Sequence, residues 1–92
     1  MRKIHSIKCY DVFFNDLLNV KMFELRKDDR NYQVGDVLEI SEYIPNFCFT
    51  GRVKYAIVTY KLSGFTGLEQ GYCILGLRKM SLLERLIYSI SP

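Results

Sequence analysis

Runs of strand-forming residues, each closed by a turn cluster, leave a chain of 92 residues few folds to choose from. Such runs occupy residues 4–9, 22–27, 37–43, 52–62 and 72–77, rich in Val, Ile, Tyr, Phe and Thr. The polar stretch 27–31, Val34-Gly35-Asp36, Pro45-Asn46, Thr50-Gly51 and the Gly-containing stretch 63–67 separate them. Gly71 and Gly76 flank or bend the last run. With so few residues there is room for one core only, and strands this short must curl around it.

Two segments break the strand pattern. In residues 10–18, Phe13 pairs with Leu17 and Phe14 with Leu18 at i, i+4, and Asp11 sits where an N-cap belongs. That predicts a helix of about two to three turns, ended by Asn19 in the left-handed conformation. Near the other end, Ser81-Leu82-Leu83-Glu84 reads as a capping box. Leu82, Leu83, Leu86, Ile87 and Ile90 then recur at helical spacing. A helix this short is unstable alone, so its apolar stripe must pack on the barrel or on a partner. The expected fold is α+β: a small, partly closed barrel of about five or six strands, one early helix and a terminal one. Residues 1–79 form the domain, and residues 80–92 the amphipathic helix.

Charge and cysteine content narrow the functional classes. A net charge of +3 permits an anionic partner without demanding one. Apolar runs such as Ala56-Ile57-Val58 are far short of a membrane span, and Arg2, Lys3, His5 and Lys8 interrupt any leader-like region. Cys9, Cys48 and Cys73 are odd in number and form no C-x-x-C pair. Reduced thiols in a cytoplasmic protein are the expectation, with neither a disulfide framework nor a zinc site. Asp28 and Asp29 are adjacent in a loop and do not converge as a metal cage, so neither metal nor other cofactor is expected. No spacing of Ser, His and Asp suggests a nucleophile elbow.

The chemistry concentrates in Lys21-x-x-Glu24-x-Arg26. In a strand, Glu24 and Arg26 share one face while Phe23 and Leu25 share the other, which reads as a polar site backed by a buried apolar face. Lys21 and Arg26 suit a phosphate, Lys as a point charge and Arg as a bidentate fork. Glu24 suits the amino group of a base. The same three charges are also what an ordinary surface ion-pair cluster would contain.

The order helix, Lys21-x-x-Glu24-x-Arg26, Val34-Gly35-Asp36 turn, strand resembles the ASCH branch of the PUA-like superfamily. The family segment is Gly-x-Lys-x-x-Glu-x-Arg, with Asn19 standing here in place of the Gly. Asn tolerates left-handed backbone angles better than other non-glycine residues. More narrowly, His5, residues 23–30, residues 33–36 and Gly71-Tyr72-Cys73-Ile74 are similar to a group of small bacterial and phage ASCH-like proteins. The resemblance spans residues 5–77 and implies a PUA-like barrel whose cleft binds RNA or a nucleotide. His5, Lys8, Lys21, Glu24, Arg26, Tyr43 and Tyr72 are then the expected binding residues, the tyrosines as stacking platforms. A second expectation is a hydrolase acting on a modified nucleoside or RNA, with Lys21 and Glu24 as its catalytic residues. The ASCH-like amidohydrolases carry Thr as nucleophile where this chain has Glu24, so only a general-base role would transfer. A third is a protein-interaction module that uses the terminal helix, as a homodimer or with another chain. No membrane partner is expected.

Overall fold

In the computed structural model, which describes residues 2–87, the strands form one five-stranded mixed sheet in the order β1-β3-β4-β5-β2. The strands are β1 (Ile4–Tyr10), β2 (Phe23–Lys27), β3 (Val37–Ile44), β4 (Cys48–Ser63) and β5 (Tyr72–Lys79). β1 and β3 pair in parallel; every other pairing is antiparallel. The sheet curls so far that its two edge strands face one another. Arg26 on β2 donates from Nη1 to the Lys8 carbonyl of β1 at 3.0 Å, and Arg30 donates to the Ser6 carbonyl. Two guanidinium groups therefore bridge a seam that no backbone ladder closes, and they blunt the exposed edge of β1.

The concave side of the sheet holds the core. Ile7 and Cys9 of β1, Leu38 and Ile40 of β3, Ala56 and Val58 of β4, and Cys73, Leu75 and Leu77 of β5 are buried there. Strict alternation along β1 and β5 is what places them on one face. Phe14 and Leu17 plug the open end, and Tyr32 joins the same cluster. A smaller cluster of Val37, Ile57 and Met80, with Tyr55 beside it, lies apart.

Two bulges set the curvature. Between Ser41 and Tyr43 the register with β4 shifts, so that Thr50, Gly51 and Arg52 stand opposite Glu42. Thr50-Gly51 is thus a bulge within β4 and not the expected turn; the chain reverses at residues 45–47, with Asn46 at φ +60°. Glu42, though buried, is satisfied there: Thr50 Oγ1 donates to it at 2.6 Å and Arg52 approaches to 3.5 Å. The second bulge falls at Thr59, opposite Gly76. A Cβ on Gly76 would lie 3.1 Å from Tyr60 Cβ, which is why that position is glycine.

The early helix, α1, is a single turn, Asp11–Phe14, and not the expected two to three turns. Its N-cap is Tyr10, without a side-chain cap; Asp11 is the acidic residue of the first turn. Lys54 explains the early stop. Its ammonium takes the Phe14 and Leu17 carbonyls at 2.5 and 2.7 Å, the acceptors a continuing helix would need. The chain then winds on the Asp16 carbonyl, which accepts from the N–H groups of Asn19, Val20 and Lys21. Leu18, not Asn19, takes the left-handed conformation, at φ +62°.

The terminal helix, α2, covers Leu82–Ile87 among the described residues. Its capping box forms as the sequence indicates: Glu84 N–H donates to Ser81 Oγ at 3.1 Å, and Ser81 N–H to Glu84 Oε1 at 3.0 Å. Arg78 clamps Glu84 with a bidentate pair at 2.8 and 2.6 Å. The apolar stripe, however, is exposed at Leu82, Leu83, Leu86 and Ile87; Ile90 lies outside the described residues. No described helix is long and apolar enough to cross a membrane.

Candidate functional site at the strand seam

At the seam, β1 and β2 part around a cavity of about 500 Å³. Lys8, Cys9 and Tyr10 from β1, Phe13 from α1, Lys21, and Phe23, Glu24, Leu25 and Arg26 of β2 line it. The helical turn after β1 carries Phe13 over the mouth. The Asp16-centred turn brings Lys21 back alongside, just ahead of β2.

The faces of β2 are the reverse of the expectation. Glu24 is 5% exposed, whereas Phe23 is 46% and Leu25 56% exposed. The charged face of β2 turns toward the core side of the sheet and the apolar face outward, at the seam where β2 ends the sheet. A buried carboxylate must be paired, and Glu24 is. Lys21 Nζ lies 2.5 Å from Oε1 and Arg26 Nη1 3.6 Å from Oε2. Both cations have further acceptors: Lys21 donates to the Phe23 carbonyl at 2.8 Å, and Arg26 to that of Lys8. The Lys21 ammonium also sits 4.8 Å from the centroid of the Phe23 ring.

Three cations, Lys8, Lys21 and Arg26, face one carboxylate among the lining residues, so the site favours an anion. Tyr10, Phe13 and Phe23 offer ring surface beside that charge. Cys9 is not an activated nucleophile: burial, and then the Glu24 charge, push its thiol above the ordinary range. Among the described residues no three His, Cys, Asp or Glu side chains gather as a metal site.

Of the seven residues expected to form a site, Lys8, Lys21, Glu24 and Arg26 come together. His5 does not line the cavity. Its Nε2 meets Asp36 Oδ2 at 2.8 Å, and its ring packs on Tyr32 with centroids 4.8 Å apart. Tyr43 lies outside the lining; it stands opposite Tyr10 in the β1–β3 register, and the Lys8 ammonium is 4.5 Å from its ring centroid. Tyr72 pairs with Lys27 at the far end of β2. Cys9, Tyr10, Phe13, Phe23 and Leu25 were missed; an aromatic pair at a strand-to-helix junction was the signal available for Tyr10 and Phe13.

Comparison with known proteins gives a family and one phage relative. An uncharacterised 12.9 kDa protein from the GpA 3′ region of Escherichia phage P2 is 42% identical over 60 residues. That match covers 64% of this chain and 54% of the relative, so the chain spans about half of the relative's length. All three cations of the seam, its buried carboxylate and the Val34-Gly35-Asp36 turn fall within residues 4–77, which match the domain of unknown function DUF3850; the chain belongs to that family.

Proposed function

We propose that this protein is an RNA- or nucleotide-binding module of the ASCH, PUA-like type, and that the seam cavity holds its ligand. The observation that carries the reading is the buried Glu24 between Lys21 and Arg26 at the rim of a cavity with aromatic walls. The cations suit a phosphate, the carboxylate a base amino group, and the rings a base face. The curled sheet with its two short helices is consistent with a small barrel of that class. Binding is favoured over hydrolysis because the cavity offers no activated nucleophile among the described residues: burial, and then the Glu24 charge, push the Cys9 thiol above its ordinary range, and Glu24 is held between two cations with lone pairs left to accept from a ligand.

Fluorescence anisotropy with short single-stranded RNA and with mononucleotides tests this. Lys21→Ala and Arg26→Ala are each expected to weaken binding by about 1–3 kcal/mol, roughly 5- to 150-fold, and to lower the salt slope by about one. Absent binding, or binding indifferent to both substitutions, refutes the proposal.

Protein association is a second reading, favoured by the exposed Leu82, Leu83, Leu86 and Ile87 on α2. It predicts concentration-dependent mass in sedimentation of the full chain, removed by Leu83→Asp. A concentration-independent monomer refutes self-association.

A further inference from the structure

On the other side of the 15–21 turn lies a second cavity, of about 410 Å³. Three cations from three separate elements line it: Lys54 of β4, Lys79 at the end of β5 and Arg85 of α2. No carboxylate side chain is among its described lining residues. The carboxylates on neighbouring strands are spoken for. Glu39 accepts from Ser6 and from the Tyr55 hydroxyl, and Glu42 from Thr50 beside Arg52.

Like charges gathered at one cavity repel one another, and Lys54 registers part of that repulsion from Lys79, against the opposing pull of Glu42. Burial, and then the positive charge of Arg52, hold the Lys54 ammonium below the ordinary lysine range, with Lys79 adding to the effect. Arg85 carries the sharper signal. Its guanidinium stacks on Tyr55, 4.9 Å from the ring centroid, yet its Nε–H is buried and meets no hydrogen-bond partner among the described residues. A buried donor left without an acceptor is uncommon, and here it belongs to a side chain that lines a cationic cavity. Asn15, whose side-chain oxygen accepts from Arg52 at 2.9 Å, keeps its amide N–H groups as further donors.

We propose that this cavity is a second binding site, for a phosphate group, held by the charges of Lys54, Lys79 and Arg85. The guanidinium supplies directed donors and the lysines supply charge. Leu17, Leu18, Val53 and Met80 add apolar lining beside these charges. The inference stands independently of the seam reading, because the two cavities share no lining residue.

The test is an NMR titration of the isotope-labelled full chain with inorganic phosphate at constant ionic strength, following the backbone amide resonances of the residues that line the cavity. A saturable shift is expected, with affinity reduced about fivefold or more in both Arg85→Gln and Lys79→Ala. Lys79 is exposed, so its substitution leaves the fold intact. Parallel titrations with adenosine monophosphate and a short oligonucleotide identify the carrier of the phosphate: tighter binding than the free ion assigns it to a nucleotide, equal binding to a free anion. A linear, non-saturating shift overturns the inference, as does unchanged affinity in both variants. In Arg26→Ala, phosphate affinity at this cavity should be unaltered. Its loss there would place the anion at the seam, overturning this site while leaving the seam reading in place.

Discussion

Replacing Asp36 by alanine is expected to remove a large part of the protein's stability. The Asp36 carboxylate is fully buried and accepts three hydrogen bonds: from Lys3 N–H at 3.1 Å, Gln33 N–H at 3.0 Å and His5 Nε2 at 2.8 Å. It ties the start of β1 to the turn before β3, and its own backbone bonds to Val58 on β4. An abandoned buried donor costs about 1–3 kcal/mol. Taking about 1 for each of the two half-buried backbone donors and about 2 for the imidazole gives roughly 4 kcal/mol. A domain of this size has only about 5–14 kcal/mol to lose. Asp36→Asn keeps an acceptor oxygen and should cost about 1–2 kcal/mol. Urea unfolding monitored by circular dichroism measures both. The pH dependence adds a second readout. Burial alone would raise the Asp36 carboxyl, but the hydrogen bonds from His5, Lys3 and Gln33 outweigh it and hold it below the ordinary range. A depressed carboxyl stabilises the fold fully above its unfolded value, about 3.9, and that stabilisation is lost as pH falls through the folded value. Asp36→Ala should therefore flatten the acid limb of the stability curve below about pH 4. A loss under about 1 kcal/mol in Asp36→Ala, with an unchanged acid limb, would refute the reasoning.

Gly76→Ala should cost about 1–3 kcal/mol in the same unfolding assay, because the new Cβ meets Tyr60 Cβ at 3.1 Å and Thr59 Oγ1 at 3.3 Å across the β4 bulge. Cys48 is the exposed thiol; it should react rapidly with a thiol reagent, while Cys9 and Cys73, buried and with raised pKa, react only on unfolding. Arg78, followed by the Ser81 cap, holds the Glu84 carboxyl down at about 2. The anchoring of α2 should thus be complete above about pH 4.3 and fade as pH falls toward that lower value, a change readable in the Arg85 amide shift and absent in Glu84→Gln.

Strands and turns were legible in the sequence because their signals are local: alternation along residues 4–9 and 72–77, and Val34-Gly35-Asp36 ahead of β3. The same holds for the capping box of Ser81 and Glu84. The length of α1 was not legible, since Lys54, distant in sequence, takes the carbonyls a longer helix would use. Thr50-Gly51 carries turn chemistry that serves a bulge equally well; only pairing with β3 distinguishes the two. In the candidate site, spacing put Glu24 and Arg26 on one face correctly. Which face is inward depends on β2 ending the sheet at an open seam, a tertiary fact that reverses the usual burial of Phe23 and Leu25. His5 shows the converse. It sits on the core face of β1, but Asp36 meets it at the turn before β3, away from the seam.

The claim that the seam binds RNA or a nucleotide is tested most directly by photo-cross-linking. Single-stranded RNA bearing a photoreactive base would be irradiated with the full chain and the adducts mapped by mass spectrometry. The account predicts adducts on peptides carrying Tyr10, Phe13 and Phe23, lost in Lys21→Ala and Arg26→Ala. Adducts confined to other surfaces, or none under conditions where a known RNA-binding domain cross-links, would contradict it.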